Sequence, residues 1–195
     1  MITQFPILIL ANYRTGSTAL LHSMASEYSL ERFSEPHLKP AAMQALSDKI
    51  ENKQNNSIIK FMPDQIAEYQ IYQYFYNSDC YKIKLQRRDK LAQITSLYAS
   101  LISGKWHESK SVPSTRKYSI PFNDEVADRA IEQILHNDKL FEEMDIKFDQ
   151  ELFYEDLNLE NTPFISKLPS LINHNKIYLY LEHKLQTQSE LATKS

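Results

Sequence analysis

The stretch that most limits what this chain can become is Pro6 to Met24, P-I-L-I-L-A-N-Y-R-T-G-S-T-A-L-L-H-S-M. Ile7, Leu8, Ile9 and Leu10 form an apolar run too short for a helix and suited to a strand buried on both faces. A small polar turn follows, Asn12, Tyr13, Arg14, Thr15, Gly16, Ser17 and Thr18. Leu20, Leu21 and Met24 then recur at helical spacing, so the order is strand, turn, helix. Such a turn leaves backbone N–H groups at a helix N-terminus aimed into the loop. Hydroxyls from Thr15, Ser17 and Thr18 and the cation of Arg14 complete a pocket for a phosphate-like anion. The loop is not an ATPase loop of the G-x-x-x-x-G-K-[ST] form, because no Lys precedes Ser17 and the chain's two glycines are Gly16 and Gly104.

Further on, strand and helix patterns alternate. Glu31 to Pro36 is a short extended piece ended by proline, and residues 40–53 have a helical face of Ala42, Leu46 and Ile50. Ser57 to Met62 reads as a second buried strand, with a helix opening at Pro63 and running to about Tyr76. Tyr81 to Gln86 is a third strand, and Arg88 to Ser103 a helix. Residues 106–121 lack periodicity and form a loop longer than a usual connector. A helix capped by Asn123 reaches about Asp145, and Lys147 to Tyr154 reads as a fourth strand. A short helix fits 164–172, residues 177–182 suit either strand or helix, and residues 186–195 read as a flexible tail. The expectation is an α/β fold, a P-loop-like parallel β-sheet wrapped by helices on both faces. Ligands of such sheets bind at the C-terminal strand ends.

Composition limits the function classes. With 195 residues, one domain spanning 1–195 is expected. A net charge of −3 gives nucleic acid no support as the main partner. One cysteine, Cys80, excludes an internal disulfide framework and a CxxC metal site, and six scattered histidines imply no metal. No apolar stretch nears the ~20 residues that span a membrane, and no signal-type segment opens the chain, so a cytoplasmic protein without a transmembrane segment is expected.

A second anion site is readable in L-Q-R-R-D-K-L-A-Q-I-T-S, Leu85 to Ser96. The third strand ends in Arg87-Arg88, and Ser96 stands eight residues beyond Arg88. On one helix that is just over two turns of about 3.6 residues, close to one face. An arginine fork and a hydroxyl suit a second phosphate.

The two segments together resemble sulfotransferases, which take a sulfuryl group from 3′-phosphoadenosine 5′-phosphosulfate (PAPS). R-T-G-S-T is similar to their 5′-phosphosulfate loop, and R-(x)7-S to their 3′-phosphate site. R-R-D-K-L-A-Q-I-T-S-L-Y-A-S, the G-K-W-H of Gly104 to His107, and Glu35-Pro36 look like the bacterial trehalose and glycolipid branch. The likeness covers Pro6 to His107 patchily and Phe153 to Leu157 again, about half the chain.

The resemblance implies a sulfotransferase fold and transfer from PAPS to a hydroxyl, of a sugar or glycolipid, leaving adenosine 3′,5′-bisphosphate (PAP). It implies that Arg14, Thr15, Gly16, Ser17 and Thr18 hold the 5′ end, Arg88 and Ser96 the 3′-phosphate, and Tyr154 the adenine. Lys60 would hold the sulfuryl oxygens. Glu35 matches the glutamate base of the trehalose branch, with His37 as the neighbouring alternative. Departures from the cytosolic enzymes are Met62 in place of their catalytic histidine and Ala19 in place of a tryptophan. Their glycine-rich C-terminal clamp is missing too, with Lys176, Lys184 or Lys194 as substitutes. Two other readings remain open: a nucleotide-binding module of the same fold without catalysis, and a P-loop kinase with a worn motif. The acceptor and the oligomeric state, a homodimer included, stay open.

Overall fold

The computed structural model describes residues 6–35, 45, 48, 56–68, 80–104, 106, 122–158 and 174–192. Five strands form one sheet: β1 (Ile7–Ala11), β2 (Glu31–Ser34), β3 (Ser57–Phe61), β4 (Tyr81–Gln86) and β5 (Gln150–Phe153). Their order is β2-β3-β1-β4-β5, and every neighbouring pair is parallel. Among the described residues five α-helices accompany them: α1 (Ser17–Tyr28), α2 (Pro63–Glu68), α3 (Lys90–Ser103), α4 (Asp124–Glu143) and α5 (His174–Ala192). The expected α/β fold with a parallel sheet flanked by helices is what the chain adopts.

The sheet forms because β1 and β3 carry apolar side chains on both faces. All ten of their residues are buried, as strands covered on both sides require. The strand period of two then sorts side chains between two cores. Ile7, Ile9, Ala11, Ile58, Ile83 and Leu85 pack with Leu20, Leu21, Met24 and Ala25 of α1. Leu8, Leu10, Ile59 and Phe61 pack on the other face with Ile66 of α2 and with Phe141, Met144 and Ile146. Trimming one of these side chains to alanine costs about 2–5 kcal/mol. Lys84 faces this second core and lays its stem toward the rings of Phe141 and Phe148, at 5.5 and 5.9 Å.

The chain divides into two compact units. One comprises Met1–Arg88 with His136–Thr162, the other Asp89–Leu135 with Pro163–Ser195. In the second unit, α3 is capped by Asp89, which accepts from Ala92 N–H at 2.8 Å, and it ends on Gly104 in the left-handed region at φ 68°. Asn123 caps α4 by accepting from Val126 N–H at 3.0 Å. Phe122 meets Tyr180 edge-on at 4.9 Å, and Asp128 accepts from the Tyr180 hydroxyl and from Lys184.

Two local readings are made specific and two change. Within the extended piece expected at 31–36, Glu31–Ser34 is a strand, β2, hydrogen-bonded in parallel register to β3. Residues 177–182, open between strand and helix, are helical, and so are 186–192, expected as a tail; Ile177 and Leu181 are wholly buried and anchor that helix. Arg88 lies before the cap of α3 rather than on it, so helical periodicity does not carry it to the face of Ser96. Arg88 and Ser96 also fall in different units. Of the expected helix over 40–53 only residues 45 and 48 are described, and the readings at 69–76, 107–121 and 164–172 lie outside the described residues. Among the described residues, no helix is long and apolar enough to cross a membrane.

Candidate functional site

In a parallel sheet all strands end on one edge, and here each strand delivers polar or charged groups to it. The turn Asn12–Gly16 follows β1, Glu35 follows β2, Lys60 is the penultimate residue of β3, Arg87 and Arg88 follow β4, and Tyr154 follows β5. All belong to the first unit. β1, between β3 and β4, sits where connections diverge to the two sides of the sheet, the usual place for a ligand crevice.

The turn after β1 is held from several directions. Asn12 Nδ2 donates to Asp138 Oδ1 at 2.9 Å, while its Oδ1 accepts from Tyr13 N–H at 2.7 Å. The Tyr13 hydroxyl donates to Asp64 Oδ2 at 2.8 Å, and Asp64 N–H donates to Asn137 Oδ1 at 2.9 Å. Thr15 is fully buried and its hydroxyl donates to the Asn12 carbonyl at 2.8 Å, so that proton closes the turn rather than meeting a ligand. Gly16 precedes α1 at φ 77°, where a glycine carries no steric penalty, and no side chain caps the helix. Ser17 is buried and Thr18 half-buried at the first turn.

Arg14 adopts φ 60° without being glycine, a conformation that costs on the order of 1 kcal/mol. Glu35 does the same at φ 49°. Strain of this kind persists where the surroundings hold it, often at functional positions. The Arg14 guanidinium is pushed down to about 10 by burial first, then by the charge of Arg87, with Tyr154 acting in the opposite direction.

A second cluster forms where β2 and β3 end. Lys60 shares the face of Ile58 by strand alternation, and α1 covers that face. Its ammonium reaches Glu35 Oε1 at 2.6 Å and Thr18 Oγ1 at 3.2 Å. Glu35 N–H donates to the Lys60 carbonyl at 3.1 Å, tying carboxylate and strand together. The Lys60 side chain is 2 % exposed and that of Glu35 25 %, so the carboxylate is the side of the pair that opens to solvent. Lys60 thus joins the Glu35 carboxylate to the first turn of α1.

The third cluster follows β4 and β5. Arg88 forms a two-point ion pair with Asp156, at 2.8 and 2.7 Å, and its plane lies 4.0 Å from the Phe153 ring. The pair is about half exposed; Asp156 holds the guanidinium above its ordinary value and is itself held below the usual carboxylate range. Arg87 turns the other way. Its guanidinium stacks 4.5 Å over Tyr154, donates from Nη1 to the Arg14 carbonyl at 3.2 Å, and lies 3.9 Å from Glu155 Oε1.

Of the residues singled out in the sequence, Arg14, Thr15, Gly16, Ser17, Thr18, Glu35, Lys60, Arg88 and Tyr154 all stand at or just beyond this edge of the first unit. Ser96 is buried in α3 of the second unit, where its carbonyl accepts from Ser100 Oγ at 3.0 Å. His37, the alternative base, lies outside the described residues. Tyr13, Asp64, Asn137 and Asp138 were not readable as loop braces, because their partners stand 51 to 126 positions away. Arg87 was readable: it continues the alternation of Ile83 and Leu85, toward the core under α1. No protein-family model and no curated protein matches this chain.

Proposed function

We propose that this protein is a PAPS-dependent sulfotransferase that passes the sulfuryl group to a hydroxyl, of a carbohydrate or glycolipid, with Glu35 as the base. The observation that carries the reading is the Lys60 ammonium held between the Glu35 carboxylate and the Thr18 hydroxyl. It joins a carboxylate, an ammonium and a hydroxyl of the first turn of α1 in one hydrogen-bonded group, which supports this reading. A worn kinase loop does not call for a carboxylate there.

The chemistry has three demands. The acceptor oxygen must lose its proton, charge on the moving group must be held, and the leaving 5′-phosphate must be stabilised. The acceptor oxygen forms a bond to sulfur as the bond from sulfur to the 5′-phosphate oxygen breaks. The proton goes to Glu35, and the electron pair leaves with PAP. Lys60 offers its positive charge to the sulfuryl oxygens from beside that carboxylate. Arg14 and the N–H groups of α1, which no side chain caps, suit the 5′-phosphate, and the buried guanidinium is a fit for an anion on charge grounds. Tyr154 is the adenine contact in this reading. Arg88 reaches the 3′-phosphate only by exchanging Asp156 for it.

The test is donor turnover. With PAPS and a panel of sugar and glycolipid acceptors, wild type releases PAP in an acceptor-dependent way. Glu35→Gln binds PAP but turns over at least about 100-fold more slowly, within the range that a general base supplies. Turnover at wild-type rate in Glu35→Gln removes the base assignment. PAP binding by wild type without turnover on any acceptor selects the non-catalytic module instead.

A further inference from the structure

We propose that Arg87 is a second cation of the pocket at the Asn12–Gly16 turn, paired with Arg14 to hold a multiply charged phosphate-type anion. That this anion is the 5′ end of the donor rests on the function proposed above; the anion site itself does not.

Arg87 sits just past the end of β4 and follows the row of Ile83 and Leu85, so it turns inward while Arg88 turns to solvent. Three contacts fix it. Its plane rests on Tyr154 at 4.5 Å, Nη1 donates to the Arg14 carbonyl at 3.2 Å, and Glu155 Oε1 stands 3.9 Å from Nε. At that distance Glu155 attracts the charge but accepts no hydrogen bond from Nε. The Nε atom is buried and has no hydrogen-bond partner. A buried charged donor left in that state calls for an acceptor, and an oxyanion supplies one.

Charge points the same way. Lys60 and Arg88 each have a carboxylate oxygen at 2.6 to 2.7 Å, which cancels their charge locally. At Arg14, burial first and the charge of Arg87 second loosen the proton, and the nearest carboxylate oxygen given for Arg87 stands farther off, at 3.9 Å. Phosphates and sulfates match the planar forks of two arginines, and one stacked on a tyrosine loses little freedom on binding.

The experiment is isothermal titration at fixed ionic strength with inorganic pyrophosphate, adenosine 5′-phosphate and adenosine 3′,5′-bisphosphate. Wild type binds all three. Arg87→Gln weakens each by about tenfold to 100-fold, the loss expected for a charge-assisted hydrogen bond, and by a similar factor throughout. Arg87→Lys, keeping charge but not the fork, recovers part of the loss. Should Arg87→Gln not fold, Arg87→Lys decides by the same comparison with a smaller loss. Binding of all three within threefold of wild type overturns the proposal, and so does a loss confined to the bisphosphate, which would make Arg87 a 3′-phosphate ligand. Arg87-dependent pyrophosphate binding with no nucleotide binding keeps the pocket and removes the donor. Bisphosphate binding indifferent to Arg87 keeps the donor and removes the pocket. Failure of wild type to bind any of the three ends both.

Discussion

Two regions along one sheet edge handle positive charge in opposite ways. Past β2 and β3, the buried Lys60 is neutralised by Glu35 and steadied by Thr18. Past β1 and β4, Arg14 and Arg87 stand together, and burial and repulsion make the first hold its proton less firmly. A neutral cluster with its carboxylate partly open suits proton transfer. One that brings two arginines together suits the holding of an anion. Each region needs the other in a group-transfer enzyme, and the contrast can be broken experimentally.

The largest effect is expected in turnover. Glu35→Gln loses about 10²- to 10⁴-fold in rate while nucleotide affinity stays within threefold, measured by PAP release beside titration. Equal losses in rate and affinity would mean that Glu35 belongs to the anion-holding half. Next comes an asymmetry of stability within the neutral pair. Glu35→Gln leaves a buried ammonium without its counter-charge and costs about 2 kcal/mol in urea unfolding, a figure reduced because the carboxylate is one-quarter exposed. Lys60→Met fills the same space without charge and costs less than about 1 kcal/mol. The reverse order would show that the pair is not buried as described.

The cationic region predicts the opposite sign. Arg14→Gly relieves both the left-handed backbone and the repulsion by Arg87, raising unfolding stability by about 1 kcal/mol while anion binding is lost. A destabilised Arg14→Gly variant would deny that the loop stores strain for function. A smaller effect follows from pH. The folded chain releases the Arg14 proton near pH 10, and the unfolded chain keeps it to the ordinary, higher value. Above about pH 10 the unfolded state therefore binds more protons, so this group's contribution to stability rises with pH; below that its penalty is constant. The difference in stability between wild type and Arg14→Gln should shrink above pH 10, and a flat difference would contradict the lowering of Arg14 by burial and by Arg87. Smallest of all is Asp156→Asn. Its pair with Arg88 is exposed, and the unfolding midpoint should not move measurably.

Much of this was legible from the chain. I-L-I-L-A before a polar turn gave a two-face buried strand, because only such a strand keeps apolar side chains covered on both sides. Glu35 and Lys60 were singled out through a motif likeness, and they lie 2.6 Å apart. What escaped has physical causes. β2 has one buried residue, Phe33, so its apolar pattern was too weak to show a strand. Residues 186–192 look like tail because their polar sequence gives no sign of Ile177 and Leu181 anchoring the helix upstream. Arg87 and Arg88 are equivalent as letters; strand alternation separates them, sending one to Tyr154 and the other to Asp156. The loop braces join residues far apart in sequence, which no local pattern records.

The most direct test of the account is a titration of adenosine 3′,5′-bisphosphate into wild type and Arg14→Gln, both shown to be folded. The account predicts saturable binding to wild type, micromolar to millimolar, and a dissociation constant at least about tenfold weaker in Arg14→Gln. Equal affinity in the two proteins, or no binding to either, would contradict it.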